Sequence, residues 1–152
     1  DIMIPYGDGC SPMSCTVAPT PLNTYEEQEA LLNRLRANDV GFVDMNYLNI
    51  ARHMPHFLPL GLYRNAALIG EALLAGQGNS CELIAIYVTP DNRCQGMARS
   101  LLHRSLAIMA AEGVTRVTTR IMTRSVPQQR LMNDFGAAPL SVNMIFPGMY
   151  LS

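Results

Sequence analysis

The chain has no tryptophan and no run of basic residues, and no apolar stretch nears the roughly 18 residues that a membrane helix needs. Charged residues are only 15% of the 152, and the formal net charge is -1. A nucleic-acid partner wants a basic face, so none is expected. A membrane partner is not expected either. Cysteine is scarce, with Cys10, Cys15, Cys81 and Cys94 at spacings that fit no zinc motif. No secretory signal is visible. The four therefore read as the reduced thiols of a cytoplasmic protein, with Cys10 and Cys15 the pair least secure in that state. What the chain has in quantity is apolar residues, 49%, in a length that suits one domain over residues 1–152. Residues 1–14, with Pro5, Gly7, Gly9 and Pro12, read as a loose lead-in.

Periodicity and punctuation then give the elements. Cys15 to Ala18 suits a short strand. Thr24 stands three residues before Glu27, the spacing of a capping box, and opens a helix. Its inner face is Gln28, Leu31, Leu32 and Leu35, and it ends at Asn38 and Asp39. Residues 40–60 lack a clean period, though Met45 to His53 suits a short helix. Leu60 to Arg64 and Ala66 to Ala75 read as two strands joined at Arg64-Asn65, and Gln77 to Ser80 as a turn. Glu82 to Val88 is a strand. Gln95 to Glu112 is the strongest helix, with Met97, Ala98, Leu101, Leu102, Leu106 and Met109 on its apolar stripe and Gly113 as its stop. Val114 to Met122 alternates as a strand. Pro127 to Phe135 suits a helix, with Pro127 in its first turn, and Leu140 to Phe146 a last strand. Consecutive strands predict antiparallel pairing. The strand-helix-strand unit around Gln95 to Glu112 predicts one parallel crossover. The fold class is a mixed α/β (α+β) sheet.

One connection carries chemistry. A strand ends at Pro90, and a helix begins near Gln95. A helix start presents unpaired N–H groups and the positive end of a dipole. Gly96 lets an anion approach the main chain, and Arg93 adds a fixed positive charge suited to phosphate. Together these suit a pyrophosphate. A plain strand-helix connection, with glycine easing the packing, fits the same residues.

Arg93-Cys94-Gln95-Gly96-Met97-Ala98 resembles the Arg/Gln-x-x-Gly-x-Gly/Ala signature of the GNAT superfamily of acyl-CoA-dependent N-acyltransferases. The preceding Glu-Leu-x-x-Ile-Tyr-Val-x-Pro resembles that family's central strand, at the same spacing from the arginine. Ile69-Gly70-x-Ala72-x-Leu74 resembles the strand before it, and Ser125 to Gly136 a later helix. The resemblance covers Leu60 to Phe146. It implies a mostly antiparallel sheet flanked by helices, in which the central strand splays from the strand after the long helix. It implies acetyl-CoA or another acyl-CoA as co-substrate, with no metal. The residues it assigns to that cofactor are Ile86, Tyr87, Val88, Arg93, Cys94, Gln95, Gly96, Met97, Ala98 and Arg99. An amine of a small molecule or a peptide then attacks the thioester directly. Three positions depart from the family pattern. Ser125 stands for a frequent Asn, Cys94 for a glycine, and Met132 for a tyrosine that often returns a proton to the leaving thiolate. General acid catalysis of that kind is commonly worth about 10²- to 10⁴-fold.

Glu82 has a family counterpart that serves some members as general base, and a solvated strand-end carboxylate is its plain alternative. Glu71, inside an apolar strand, must face water, a partner or a site. An outward, solvated position is the ordinary reading, and a catalytic one the alternative. Strict alternation puts Tyr87 opposite Glu82, in the core. His53 and His56 are spaced for one helix face and suit the wall of a substrate cleft better than a metal site. His103 falls on a solvated helix face. Met122 and Met132 are candidates for an apolar wall around an acyl chain. Only six residues follow Phe146, so a completing strand from a second subunit, and hence a homodimer, is an expectation. A binding module without turnover, and another acyl-CoA reaction such as decarboxylation or O-acylation, are the rival functions. The acceptor is not legible, because residues 40–60 and the end of the chain carry it in such proteins.

Overall fold

A computed structural model describes residues 2–3, 15–93, 96–120, 130–131, 138–140 and 143–145. Its strands form one sheet in the order β1-β2-β3-β4-β5-β6-β8-β7. These are β1 (Ile2–Met3), β2 (Cys15–Pro19), β3 (His56–Arg64), β4 (Ala67–Gln77), β5 (Ser80–Val88), β6 (Arg116–Arg120), β7 (Ala138–Leu140) and β8 (Asn143–Ile145). The helices are α1 (Tyr25–Ala37), α2 (Met45–Arg52) and α3 (Met97–Ala111), with a 3-10 turn at Pro90–Asn92. Neighbouring strands are antiparallel except β5 and β6, which α3 joins as the expected parallel crossover.

Local chemistry explains most of these boundaries. The Thr24 Oγ1 accepts from the Glu27 N–H at 3.1 Å, and Glu27 Oε1 accepts from the Thr24 N–H at 2.9 Å, so the capping box is complete. Gln28, Leu31, Leu32 and Leu35 form the buried face of α1. Gln28 is tolerated there because its amide donates to the Leu22 carbonyl at 3.1 Å. Asp44 caps α2 by accepting from the Tyr47 N–H at 2.8 Å. Gly113, at φ 91, stops the chain just beyond α3.

Four readings need correction. β3 begins at His56 rather than Leu60, because His56 to Pro59 pair with Gly76 to Leu73 of β4. Pro59 sits beside the end of β2, where the Thr20 N–H donates to its carbonyl at 2.9 Å. The β3–β4 turn sits one residue later, on Asn65 and Ala66 at φ 50 and 67, which makes it a two-residue left-handed hairpin turn. The last strand region is a pair, β7 and β8, so the chain itself supplies two strands beyond β6. Within the loose lead-in, Ile2–Met3 pairs with Val17 and Thr16. The helix read over Pro127 to Phe135 lies outside the described residues apart from Arg130 and Leu131.

Each sheet face packs its own layer. Against α3 lie Leu74, Leu83, Ile86 and Val88, meeting Met97, Leu101, Leu102, Leu106 and Met109. Against α1 and α2 lie Leu73, Ala75, Ile84, Ala85 and Tyr87, meeting Leu31, Leu32, Leu35, Leu48 and Ala51. Each fully buried leucine contributes about 1.5–3 kcal/mol. In β5 the facing switches phase. Cys81 and Leu83 face α3, and so do Ile86 and Val88. The cause is a β-bulge, for Leu73 pairs with Ala85 while Leu74 pairs with Leu83, leaving Ile84 as the extra residue. A bulge bends its strand and raises its twist. At this point β5 parts from β6, since among the described residues their pairing ends at Leu83↔Thr119. Thr119 Oγ1 closes the last rung by donating to the Leu83 carbonyl at 2.9 Å.

Candidate active site

The parting strands leave the β5 backbone from Ile84 to Val88 without a strand partner on its β6 side among the described residues. The loop after β5 is tied back on itself. Arg93 Nε donates to the Val88 carbonyl at 2.8 Å, and Asn92 Nδ2 donates to Thr89 Oγ1 at 2.9 Å. Arg64, which no sequence pattern flagged, reaches across from β3 to Asn92 Oδ1 at 3.3 Å. Gly96 then caps α3 at φ 76, with no side chain capping the helix start. No described atom lies within 4 Å of where its Cβ would stand. The left-handed φ explains the glycine, and the uncapped start leaves N–H groups of the first turn for an anion. Of the residues assigned to a cofactor, Ile86, Tyr87 and Val88 bury their side chains and offer backbone, while Arg93 and Arg99 are exposed. Met97 is core, Ala98 is half-buried, and Cys94 and Gln95 lie outside the described residues.

On the α1/α2 face a pocket of about 390 Å³ abuts the point where the strands part. Its floor is the end of β4 and the start of β5, from Ala75 to Gln77 and from Ser80 to Glu82, with Ile84 and Thr118 at the parting strands. Tyr47, Ile50, Ala51 and Met54 form its α2 wall. Gly76 is needed here, because a side chain would run into the Ser80 carbonyl. Glu82 stands half-buried within the pocket, its Oε1 accepting from the Tyr47 hydroxyl at 2.9 Å. Tyr47 is itself held twice more, by the Asp44 cap on its N–H and by an edge-on contact with Phe42, ring centres 5.9 Å apart. Sequence reasoning missed Tyr47. The signal was the spacing 47, 50, 51, 54, one face of a helix, in a stretch whose prolines hid the period. Cys81 also lines the pocket, but burial, helped by Glu112 and Glu82, pushes its thiol up to about 12. It is protonated near neutral pH and no nucleophile.

Other expectations are corrected. Glu71 is not solvated, being 1% exposed beneath α1, where Arg34 Nε donates to its Oε1 at 2.6 Å. Burial raises its pKa against the opposing pull of Arg34. Its other oxygen is buried without a partner. It is absent from the described lining of the pocket. Tyr87 is buried as expected, yet on the same face as Glu82, because the Ile84 bulge reverses the alternation; its hydroxyl meets Glu71 and Arg34. His53 and His56 share no helix face and no pocket wall. His53 caps α2, while His56 opens β3 and bridges the Gly78 carbonyl at 2.7 Å and Glu112 at 3.0 Å. Both acceptors demand a donor, so both ring nitrogens carry protons and the pKa is raised. His103 is exposed on α3 as expected. Ser125, Met122 and Met132 lie outside the described residues. No cluster of three His, Cys, Asp or Glu side chains forms among the described residues, and no described helix is long and apolar enough to cross a membrane.

A mixed, mostly antiparallel sheet with a bulged strand, a parting parallel pair and an uncapped helix start defines the acyltransferase fold class. Residues 22–137 match the sequence profile of the acetyltransferase (GNAT) family, and the chain belongs to that family. Solved structures agree at the level of fold. A ribosomal-protein alanine N-acetyltransferase of Escherichia coli is 16% identical with a TM-score of 0.66, covering 86% of this chain and 90% of its own. The PaiA N-acetyltransferase of Thermoplasma acidophilum, solved with coenzyme A, is 17% identical with a TM-score of 0.65, covering 88% and 97%. A GNAT acetyltransferase of Streptococcus pneumoniae is 15% identical with a TM-score of 0.67, covering 87% and 96%. No curated protein matches the chain by sequence.

Proposed function

We propose that the chain transfers an acyl group, with acetyl as the first choice, from acyl-CoA to an amine held in the Glu82 pocket. The observation that carries the reading is the position of Glu82, in a pocket whose lining includes Ile84 at the parting of β5 and β6. An acyl-CoA fits the residues present. The uncapped first turn of α3, open at Gly96, suits its phosphates, with Arg93 beside it. The β5 edge from Ile84 to Val88, which has no strand partner on its β6 side among the described residues, suits an extended amide-bearing arm. When bound, the thioester supplies an activated carbonyl, and the new C–N bond forms as the C–S bond breaks and the thiolate leaves.

The chain's own residues supply orientation and proton transfer. Glu82 attracts the acceptor as an ammonium and takes a proton from its nitrogen, so that the free lone pair faces the carbonyl. Tyr47 is a positioning residue, for its hydroxyl fixes the Glu82 carboxylate at 2.9 Å. The high thiol pKa of Cys81 argues for direct attack over a covalent cysteine intermediate.

Two measurements test this together, acetyl-CoA affinity by calorimetry and thiol release with a broad amine panel. The expected result is binding together with amine-dependent release. Binding with no release on any amine would make the chain a binding module, and the transferase reading would fall. The 152 residues contain no lysine, so thiol release without added amine does not come from acetylation of a side-chain amine of the chain.

A further inference from the structure

The pocket also carries information about the acceptor, and the inference drawn from it rests on the transferase reading above. Its described lining contains one charged side chain, Glu82, and no arginine or histidine. The remaining polar groups are neutral, in Tyr47, Gln77, Ser80 and Thr118. Most of the wall is apolar, with Ile50, Ala51, Met54, Ala75 and Ile84 surrounding the carboxylate. Ile50 is 59% exposed, and Phe42, packed edge-on against Tyr47, is 39% exposed. Apolar surface of that kind, close beside a single carboxylate, asks for an apolar ligand body. The volume of about 390 Å³ lies at the low end of the roughly 300–1,000 Å³ range of small-molecule clefts.

We infer that the acceptor is a small monoamine with an uncharged apolar body, an alkyl or arylalkyl amine. One carboxylate pairs with one ammonium. A second ammonium on the ligand would lie against the apolar Ile50 or Met54 with no described counter-charge in the lining. A ligand carboxylate would find no described cation in the lining and would be repelled by Glu82. Free amino acids and polyamines are therefore disfavoured on the same grounds. In the transfer, the ammonium gives one proton to Glu82, the amine nitrogen forms the C–N bond as the C–S bond breaks, and the second proton from that nitrogen passes to the departing thiolate, which leaves as the thiol.

Matched acceptors isolate each charge. 2-Phenylethylamine and phenylalanine share a body and differ by a carboxylate; hexylamine and 1,6-diaminohexane differ by an ammonium. With acetyl-CoA saturating, kcat/KM from thiol release is expected to favour the first of each pair by at least about tenfold. Ile50→Glu places a second carboxylate at an exposed position, so folding is spared. It is expected to raise KM for hexylamine by about tenfold and to narrow or reverse its lead over diaminohexane. Equal or better turnover of phenylalanine or diaminohexane by the unmodified chain overturns the inference. So does turnover confined to polyamines or peptides, which leaves the transferase reading standing. Acetyl-CoA binding with no thiol release on any amine overturns both.

Discussion

Replacing Arg34 by methionine removes the guanidinium from a carboxylate that has no other charged partner described. The Glu71 side chain is 2% exposed, and that of Arg34 is 33% exposed. Breaking a buried pair by deleting one partner costs about 3–5 kcal/mol. Arg34 is a third open to water, and screening reduces its share, so about 2–3 kcal/mol is the reasonable expectation near pH 7. The sign follows from linkage. Burial already raises the Glu71 pKa in the folded chain above the 4.5 of the free side chain, and without Arg34 it rises further. A raised folded pKa gives stability that is whole below the unfolded value and is lost as pH climbs through the folded one. The Arg34→Met deficit should therefore be largest near pH 7 and shrink to under about 1 kcal/mol near pH 4, where the carboxyl is protonated in both states. Urea denaturation at the two pH values reads this directly, and the neutral deficit corresponds to a Tm loss of about 5–10 °C. Adding Glu71→Leu to the same chain should restore much of the loss, because two apolar groups leave no buried charge. An equal deficit at both pH values, or a double variant no better than the single, would refute the reasoning.

Three further outcomes follow from the geometry. Tyr47→Phe deletes only the hydroxyl that holds Glu82, so kcat should fall about tenfold while stability changes by less than about 1 kcal/mol and acetyl-CoA affinity by calorimetry is unmoved. His56→Gln should lower Tm most in mild acid; the raised His56 pKa means its stabilisation is complete below 6.5 and fades as pH rises through the folded-state value, so the gap between the two chains narrows toward alkaline pH. Ala66→Gly relieves an alanine held at φ 67 and should stabilise the chain by roughly 0.5–1 kcal/mol in urea melts.

Local signals in the sequence were read well where one residue governs one event. The Thr24–Glu27 capping box, the α3 stripe and the Gly113 stop depend on near neighbours, and each is present as read. The parallel crossover was legible because a strong helix between two strands leaves few alternatives. Readings failed where a distant partner decided. Leu60 looked like the start of a strand, and only the pairing of His56 to Pro59 with β4 shows that β3 begins earlier. Glu71 looked solvated because its cation lies 37 residues away on α1. The Ile84 bulge has no marker in the sequence, for isoleucine suits a regular strand equally well. Yet that bulge puts Glu82 and Tyr87 on one face, just where the described pairing of β5 with β6 ends. The Arg93 to Ala98 signature named the family without describing the pocket. Tyr47, Ile50 and Met54, which give that pocket its character, come from the stretch with the least readable pattern.

The central claim is that Glu82 takes the acceptor's proton in the pocket where β5 and β6 part. Amine-dependent thiol release by the unmodified chain and by Glu82→Gln, each with acetyl-CoA affinity measured alongside, tests it most directly. The account predicts a loss in kcat/KM of about 10²-fold or more with cofactor affinity unchanged. A Glu82→Gln chain as fast as its parent would contradict it.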